Sequence, residues 1–152
     1  MSFSIVADDI LSLKSRSQIL FGRIFSMKSR ISLSGSSDSF AIDLKGDCVI
    51  EEGNAFIPNV KFSIDDYYFY LAILSSNMFD TLLSIYSKQI MSGYDLGKIQ
   101  IKNIPIPNVH LQDIRTSDEY HRLVEYGKEL SNGNQYIKHV IEDVVRYYYP
   151  NY

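Results

Sequence analysis

The stretch Ser92–Pro107 reads SGYDLGKIQIKNIPIP and is the least generic part of this sequence. Two glycines bracket Tyr94-Asp95-Leu96, so the backbone there has access to conformations that other residues avoid. From Ile99 onward isoleucines alternate with polar residues, which predicts a short, half-buried strand. Pro105 and Pro107 are expected to end that strand, because proline lacks the N–H that a strand donates. We therefore expect an exposed, basic loop, then an edge strand, then a proline stop.

The chain before this stretch begins with a strand-rich half. Residues 1–62 alternate short apolar runs with turn-forming serine, glycine and asparagine, which is typical of strands and tight connections. Residues 5–16 fit either a short helix or an extended lead-in, because their serines weaken a helix. We predict strands at Gln18–Phe25, Arg30–Leu33, Phe40–Leu44, Cys48–Glu51 and Ala55–Val60, with the last two joined as a hairpin.

Serines followed by acidic residues mark the start of two helices. Ser63 precedes Asp65-Asp66 and Ser117 precedes Asp118-Glu119. The serine can cap free amide groups, and the acids favour the positive end of the helix dipole. Residues 67–75 are apolar on nearly all sides, which predicts a buried helix. Further helices are predicted at Met78–Tyr86, at 117–130 and at Gln135–Tyr149, where Pro150 ends the chain's last helix.

These elements predict one α+β domain over residues 1–152. Residues 1–62 are expected to be mostly β. Residues 63–108 are expected to hold buried helices, the glycine-bracketed loop and the edge strand. Residues 109–152 are expected to form a helical hairpin, whose last helix carries one apolar stripe of Ile137, Val140, Ile141, Val144, Val145 and Tyr148. A chain of 152 residues is long enough for a core of its own.

Composition places the chain among globular proteins and favours the cytoplasm. Apolar residues make up 45% and charged residues 22%, which excludes disordered and collagen-like classes. Cys48 is the single cysteine and cannot form an internal disulfide, which favours a reducing compartment. The first residues do not have the pattern of a signal peptide. No apolar run approaches the roughly 18 residues that a membrane span needs.

The net charge of −3 is unevenly distributed along the chain. Residues 1–37 carry five basic and two acidic side chains, and residues 81–108 carry three and one. Residues 38–80 carry two basic and eight acidic side chains. The two basic segments could share one face of the fold, although solvated surfaces also vary this much by chance.

No constellation of residues indicates an enzyme that acts alone. His121 and Glu125 have the spacing of two zinc ligands on a helix, but no second pair of ligands accompanies them. The adjacent acidic pairs, such as Asp65-Asp66, point to opposite sides or serve a helix start. Nucleotide-binding glycine loops and nucleophile elbows are absent. We therefore expect no catalytic residue, no metal site and no cofactor.

The segment around Tyr94 is better suited to binding nucleic acid than to catalysis. Lys98, Gln100 and Lys102 would share one face of a strand, which suits contacts with phosphates and base edges. Tyr94 could stack or wedge at a base step. The same residues are also typical of the solvent-exposed face of an edge strand, where lysine prevents aggregation.

Four segments follow one another in the region 67–107: Tyr70–Ser76, Phe79–Tyr86, Ser92–Leu96 and Ile104–Pro107. In the residues and order of these segments, the region resembles the C-terminal target-recognition domain of type II restriction-modification adenine methyltransferases, including fused restriction-methylation enzymes. Type I specificity subunits are a related case. Weaker similarity to that family extends over residues 16–131, with Gln18–Arg23 and Phe40–Asp43 as opening strands and Glu119–Leu130 as a closing helix.

This resemblance implies a division of labour between two domains. Methyl transfer in the family uses S-adenosylmethionine and an asparagine-proline-proline-aromatic motif in a separate domain, and no two prolines are adjacent here. The chain would then read double-stranded DNA for a catalytic domain that lies in the same chain or in another subunit. The candidate DNA contacts are Arg23, Lys28, Arg30, Lys88, Ser92, Tyr94, Lys98, Gln100 and Lys102.

A protein-interaction domain is the alternative function. The C-terminal segment is rich in tyrosine, which is common at protein interfaces because its ring is apolar and its hydroxyl group can contact water. A homodimer or another partner could bind through Tyr136, Tyr147, Tyr148, Tyr149 and Tyr152.

Overall fold

The computed structural model describes eleven parts of the chain: residues 4–6, 11–15, 23–26, 30–31, 40–45, 54–58, 61–86, 89–90, 93–95, 103–111 and 113–152. The strands are β1 (Ser4–Val6), β2 (Leu11–Ser15), β3 (Arg23–Ser26), β4 (Arg30–Ile31), β5 (Phe40–Asp43), β6 (Asn54–Pro58), β7 (Gln89–Ile90), β8 (Gly93–Asp95) and β9 (Pro105–Pro107). The α-helices are α1 (Ile64–Leu74), α2 (Asn77–Tyr86), α3 (Asp118–Ser131) and α4 (Lys138–Arg146). The α+β class is confirmed.

The strands pair antiparallel in three groups. A four-stranded sheet has the order β2-β6-β3-β5, a three-stranded sheet has the order β4-β8-β7, and β1 pairs with β9. The predicted strands at Phe40–Leu44 and Ala55–Val60 correspond to β5 and β6, and the lead-in at 5–16 is extended over β2. The predicted partner of the hairpin, Cys48–Glu51, lies outside the described residues.

Helix α1 forms the centre of the core. Its residues Phe69, Tyr70, Leu71, Ala72, Ile73 and Leu74 are all buried, as expected for a helix that is apolar all round. Helix α3 packs closely against it. A Cβ atom on Gly127 would lie 2.1 Å from the Tyr68 carbonyl oxygen, so glycine is required where the two helices touch.

Both predicted serine caps are present. The Ser63 hydroxyl accepts a hydrogen bond from the Asp66 amide, and the Asp66 carboxylate accepts one from the Ser63 amide, which completes a capping box. The Ser117 hydroxyl accepts from the Tyr120 amide at the start of α3. Helix α2 begins at Asn77, where Glu142 of α4 accepts hydrogen bonds from the Asn77 and Met78 amides.

The predicted helical hairpin is formed by α3 and α4, but its second helix is shorter than expected. Gln135–Ile137 is a 3₁₀ turn and α4 ends at Arg146. The amides of Tyr147 and Tyr148 donate to carbonyls three residues back, so the last turn tightens before Pro150 is reached. The predicted apolar stripe is correct at Ile141, Val144, Val145 and Tyr148, whereas Val140 is exposed.

Two predictions about the stretch Ser92–Pro107 are wrong. Gly93–Asp95 is a strand and not a loop, because it pairs on both sides, with β4 and with β7. Pro105 does not stop a strand, because it is the first residue of β9, whereas Pro107 is the last residue of that strand. The predicted strand residues Ile99–Lys102 lie outside the described residues. Among the helices that the structure describes, none combines the length and the apolar character needed to cross a membrane.

Candidate nucleic-acid interface

The three-stranded sheet joins the two basic segments of the chain. Its central strand β8 pairs with β4, so that Arg30 is opposite Asp95 and Ile31 is opposite Tyr94. Strand β4 belongs to the basic segment 1–37, and β7 and β8 belong to the basic segment 81–108. The backbone pairing therefore places parts of both segments side by side.

Strands β7 and β8 have the spacing of a tight hairpin. Ile90 is opposite Gly93 and Gln89 is opposite Tyr94. Two residues separate Ile90 from Gly93 along the chain, which is the commonest connection length for a β-hairpin. Strand β4 pairs with the other edge of β8, so this hairpin is part of a three-stranded sheet.

Strand β9 anchors the chain after this hairpin. Ile104 and Ile106 are buried, and tyrosine hydroxyl groups from two helical regions donate hydrogen bonds to the carbonyl groups of the two prolines. The Tyr70 hydroxyl donates to the Pro107 carbonyl at 2.6 Å, and the Tyr149 hydroxyl donates to the Pro105 carbonyl at 2.7 Å. The stretch that begins at the hairpin is thus fixed to the core at its far end.

The nine candidate contacts fall into three groups. Arg30 and Tyr94 are in the three-stranded sheet, on adjacent strands. Arg23 is in the four-stranded sheet, opposite Asp43 of β5, so the structure does not place it in the same sheet as the other two. The remaining candidates lie outside the described residues: Lys28, Lys88, Ser92, Lys98, Gln100 and Lys102.

A buried carboxylate holds the turn before α3 against the start of α1. Asp66 is fully buried and accepts hydrogen bonds from the Tyr120 hydroxyl at 2.7 Å and from two nitrogens of Arg115 at 2.5 and 3.2 Å. Burial by itself would raise the pKa of Asp66, but the hydrogen bonds from Arg115, the Ser63 amide and Tyr120 outweigh it and lower the pKa. A carboxylate with these donors is a structural anchor and a poor proton acceptor for catalysis.

Two acidic side chains, Asp80 and Glu142, lie close together where α2 meets α4. Burial, and then the nearby Glu142 carboxylate, raise the pKa of Asp80 to about 6. Burial also raises the pKa of Glu142, while the Asn77 and Met78 amides partly offset that effect. The pair has a simple structural reason, because Glu142 supplies the N-terminal cap of α2 from another helix.

The structure also contains a cavity of about 300 Å³ between β5 and the helices. Phe40, Ile42, Leu71 and Leu130 form its apolar walls, and Ser75 and Gln135 add polar groups. No ionisable side chain lines it among the residues that the structure describes. The described parts of the chain also contain no group of three or more histidine, cysteine, aspartate or glutamate side chains that could hold a metal ion.

Sequence reasoning did not single out the two anchoring tyrosines. The sequence predicts that Tyr70 is one of many buried residues in an apolar helix and that Tyr149 lies on a partner-binding surface. Tyr148 and Tyr149 are buried, so they cannot contribute to a tyrosine-rich partner surface, whereas Tyr136, Tyr147 and Tyr152 are exposed. A buried tyrosine usually needs a hydrogen-bond partner, so a tyrosine within an apolar helix such as α1 indicates a contact of this kind.

No protein-family model matches this chain, and no curated protein sequence matches it.

Proposed function

We propose that this chain is the sequence-reading module for double-stranded DNA of a restriction-modification adenine methyltransferase, and that it acts in the cytoplasm. In this proposal the chain catalyses no reaction by itself. A methyltransferase catalytic domain, in the same chain or in a separate subunit, binds S-adenosylmethionine and receives the target base. The single observation that carries the proposal is the pairing of β4 with β8, which joins the two basic segments in one sheet.

The hairpin of β7 and β8 is the element that we assign to the major groove. Side chains near the tip of this hairpin would reach base edges there. Lys28, Lys88, Lys98 and Lys102 would bind phosphates and fix the orientation of the domain. Tyr94 and Gln100 would then contact bases. The segment's resemblance to target-recognition domains supports the same assignment.

Selection from a pool of random duplexes tests this function directly. The protein is mixed with the pool at about 50 mM salt, where phosphate contacts are weakly screened, and bound duplexes are amplified over several rounds. We expect a recurring sequence to be enriched. Failure to retain any duplex at this salt concentration would overturn the proposal.

The salt dependence of binding identifies the contacting lysines. Replacing Lys98 and Lys102 by alanine is expected to reduce the slope of log K against log salt by about 0.9 for each phosphate contact that is lost. The matched control replaces Lys45 and Lys61, which are exposed on other parts of the chain. The control has the same change in net charge, so an equal loss in both variants would indicate non-specific attraction only.

A protein-interaction domain is favoured by a different observation. Tyr136, Val140 and Tyr147 are exposed, with Tyr136 exposed to 86%, and they form a stripe of exposed aromatic and apolar side chains along the 3₁₀ turn, α4 and the residue after it. Such a stripe could bind a second copy of the chain or the catalytic domain. Light scattering on the wild type and on a Val140→Ser/Tyr147→Ser variant tests self-association. A monomer at all concentrations would exclude the homodimer.

A further inference from the structure

The strand β9 is held along both of its edges. On one edge it pairs with β1, with Ile5 opposite Ile106. On the other edge its carbonyl groups meet tyrosine hydroxyls, from Tyr70 in α1 and from Tyr149 just after α4. Elements that are far apart in the sequence therefore converge on three residues.

The order proline-isoleucine-proline explains why tyrosines hold this edge. Neighbouring residues of an antiparallel strand direct their N–H and C=O groups to opposite sides. Pro105 and Pro107 thus share one side, which is the side of the tyrosine hydroxyls, and Ile106 is left to bond with β1. A further strand on that side would need N–H donors that the prolines lack. A tyrosine hydroxyl needs only the carbonyl acceptor.

The two hydroxyls are well suited to a permanent contact. Tyr70 and Tyr149 are 1% and 3% exposed. Burial is the main reason why the pKa of each is raised well above the usual value, so both keep their protons at physiological pH. Tyr70 has a second role, because its oxygen accepts a hydrogen bond from the Val109 amide at 3.3 Å. The chain is thereby held on both sides of Pro107.

We propose that Tyr70 and Tyr149 are positioning residues that fix β9 on the helical core and thereby hold the C-terminal end of the segment 88–104 in place for DNA binding. This inference rests on the proposed function for the contact with DNA. The position of the segment itself does not depend on that function. Asp95 is the last residue of β8 and Ile104 is the buried residue before β9, so the anchored strand begins soon after the hairpin along the chain.

Tyrosine-to-phenylalanine variants test the proposal without creating a cavity. Tyr70→Phe, Tyr149→Phe and the double variant each remove hydroxyl groups and keep the rings. Tyr120→Phe is the matched control, since Tyr120 is equally buried and its hydroxyl donates to Asp66, away from β9. Hydrogen–deuterium exchange followed by mass spectrometry reports on residues 4–6 and 88–107. Binding to the duplex enriched from the random pool reports on recognition.

The expected results separate positioning from general stability. In the double variant we expect amide exchange over 4–6 and 88–107 to accelerate about tenfold relative to the rest of the chain, since each lost hydrogen bond is worth several-fold in an equilibrium. The Kd for the enriched duplex should rise about fivefold, by the same reasoning. The Tyr120→Phe variant should change neither quantity, although its melting temperature falls.

Three outcomes would overturn the inference or its basis. Unchanged exchange over 88–107 in the double variant would show that the hydroxyls do not fix the segment, whether or not the protein binds DNA. Faster exchange with an unchanged Kd would show that they hold the strand but have no part in recognition. If the wild type enriches no duplex, the proposed function fails, and the exchange measurement still decides the role of the two tyrosines.

Discussion

Gly127 provides a test in which helix propensity and packing predict opposite signs. Gly127 lies within α3, and alanine is favoured over glycine in the interior of a helix by about 1 kcal/mol. Propensity alone therefore predicts that Gly127→Ala stabilises the protein. The structure predicts a loss of stability, because α1 occupies the space that the new methyl group needs.

The size of the loss follows from the atoms that a Cβ would meet. It would lie 2.1 Å from the Tyr68 carbonyl oxygen, 2.7 Å from the carbonyl carbon and 2.9 Å from the Cα. These are backbone atoms of a helix whose other face is buried, so neither side can rotate away and the helices must separate. Overpacking in a core typically costs about 1–3 kcal/mol, and lost contacts between α1 and α3 add to it. After the propensity gain is subtracted, we expect a net loss of about 2 kcal/mol.

Urea unfolding followed by circular dichroism at the helix band measures this loss. The midpoint should fall for Gly127→Ala while the slope of the transition stays close to that of the wild type. The control is Glu125→Ala, an exposed substitution in the same helix, which should change stability by less than about 0.5 kcal/mol. A Gly127→Ala variant that is as stable as the wild type, or more so, would refute the close contact between α1 and α3.

Three further predictions concern charge and backbone conformation. Because the pKa of Asp80 in the folded state is about 6, above its ordinary value of 3.8, the folded state binds the proton more tightly, so stability should decrease as the pH rises from about 4 to about 6. Partial exposure of this side chain reduces the effect to about 1 kcal/mol; Asp80→Asn should weaken it and leave the contribution of Glu142, whose pKa is also raised, and pH-dependent urea midpoints that remain parallel in both proteins would contradict the assignment. Arg115→Ala leaves the buried Asp66 without its charged partner and should cost about 2 kcal/mol, less than a fully buried pair because Arg115 is partly exposed; a loss below about 0.5 kcal/mol in thermal unfolding would speak against that pair. Gly133 has a φ of 89°, so Gly133→Ala should cost about 1 kcal/mol through backbone strain alone, and an unchanged melting temperature would argue against this conformation.

The parts of the fold that could be predicted from the sequence depend on local interactions. Ser63 and Ser117 cap helices through amides three residues away, and the apolar character of α1 reports its burial directly. Strand β5 was predicted almost to the residue, because alternation and a following turn are both local signals. The α+β class follows from these elements together.

The parts that could not be predicted depend on partners far away in the sequence. Gly93–Asp95 has the composition of a loop and becomes a strand because β4, about 60 residues earlier, supplies one of its partners. The prolines of β9 are compatible with a strand because they face an edge that has no second strand, and tyrosine hydroxyls satisfy their carbonyl groups there. The burial of Tyr149 likewise depends on where α4 lies and not on the helical period.

The pairing of β1 with β9 has a consequence for how the protein is made. Ser4 and Pro107 are neighbours in the fold, but the ribosome adds about 5–20 residues per second, so β1 is synthesised several seconds before its partner. Tyr149, which completes the attachment of β9, is synthesised later still. Closing so long a loop is slow relative to forming the local helices. We therefore expect the helical core to form first and the segment before β9 to reach its final place as one of the last events of folding.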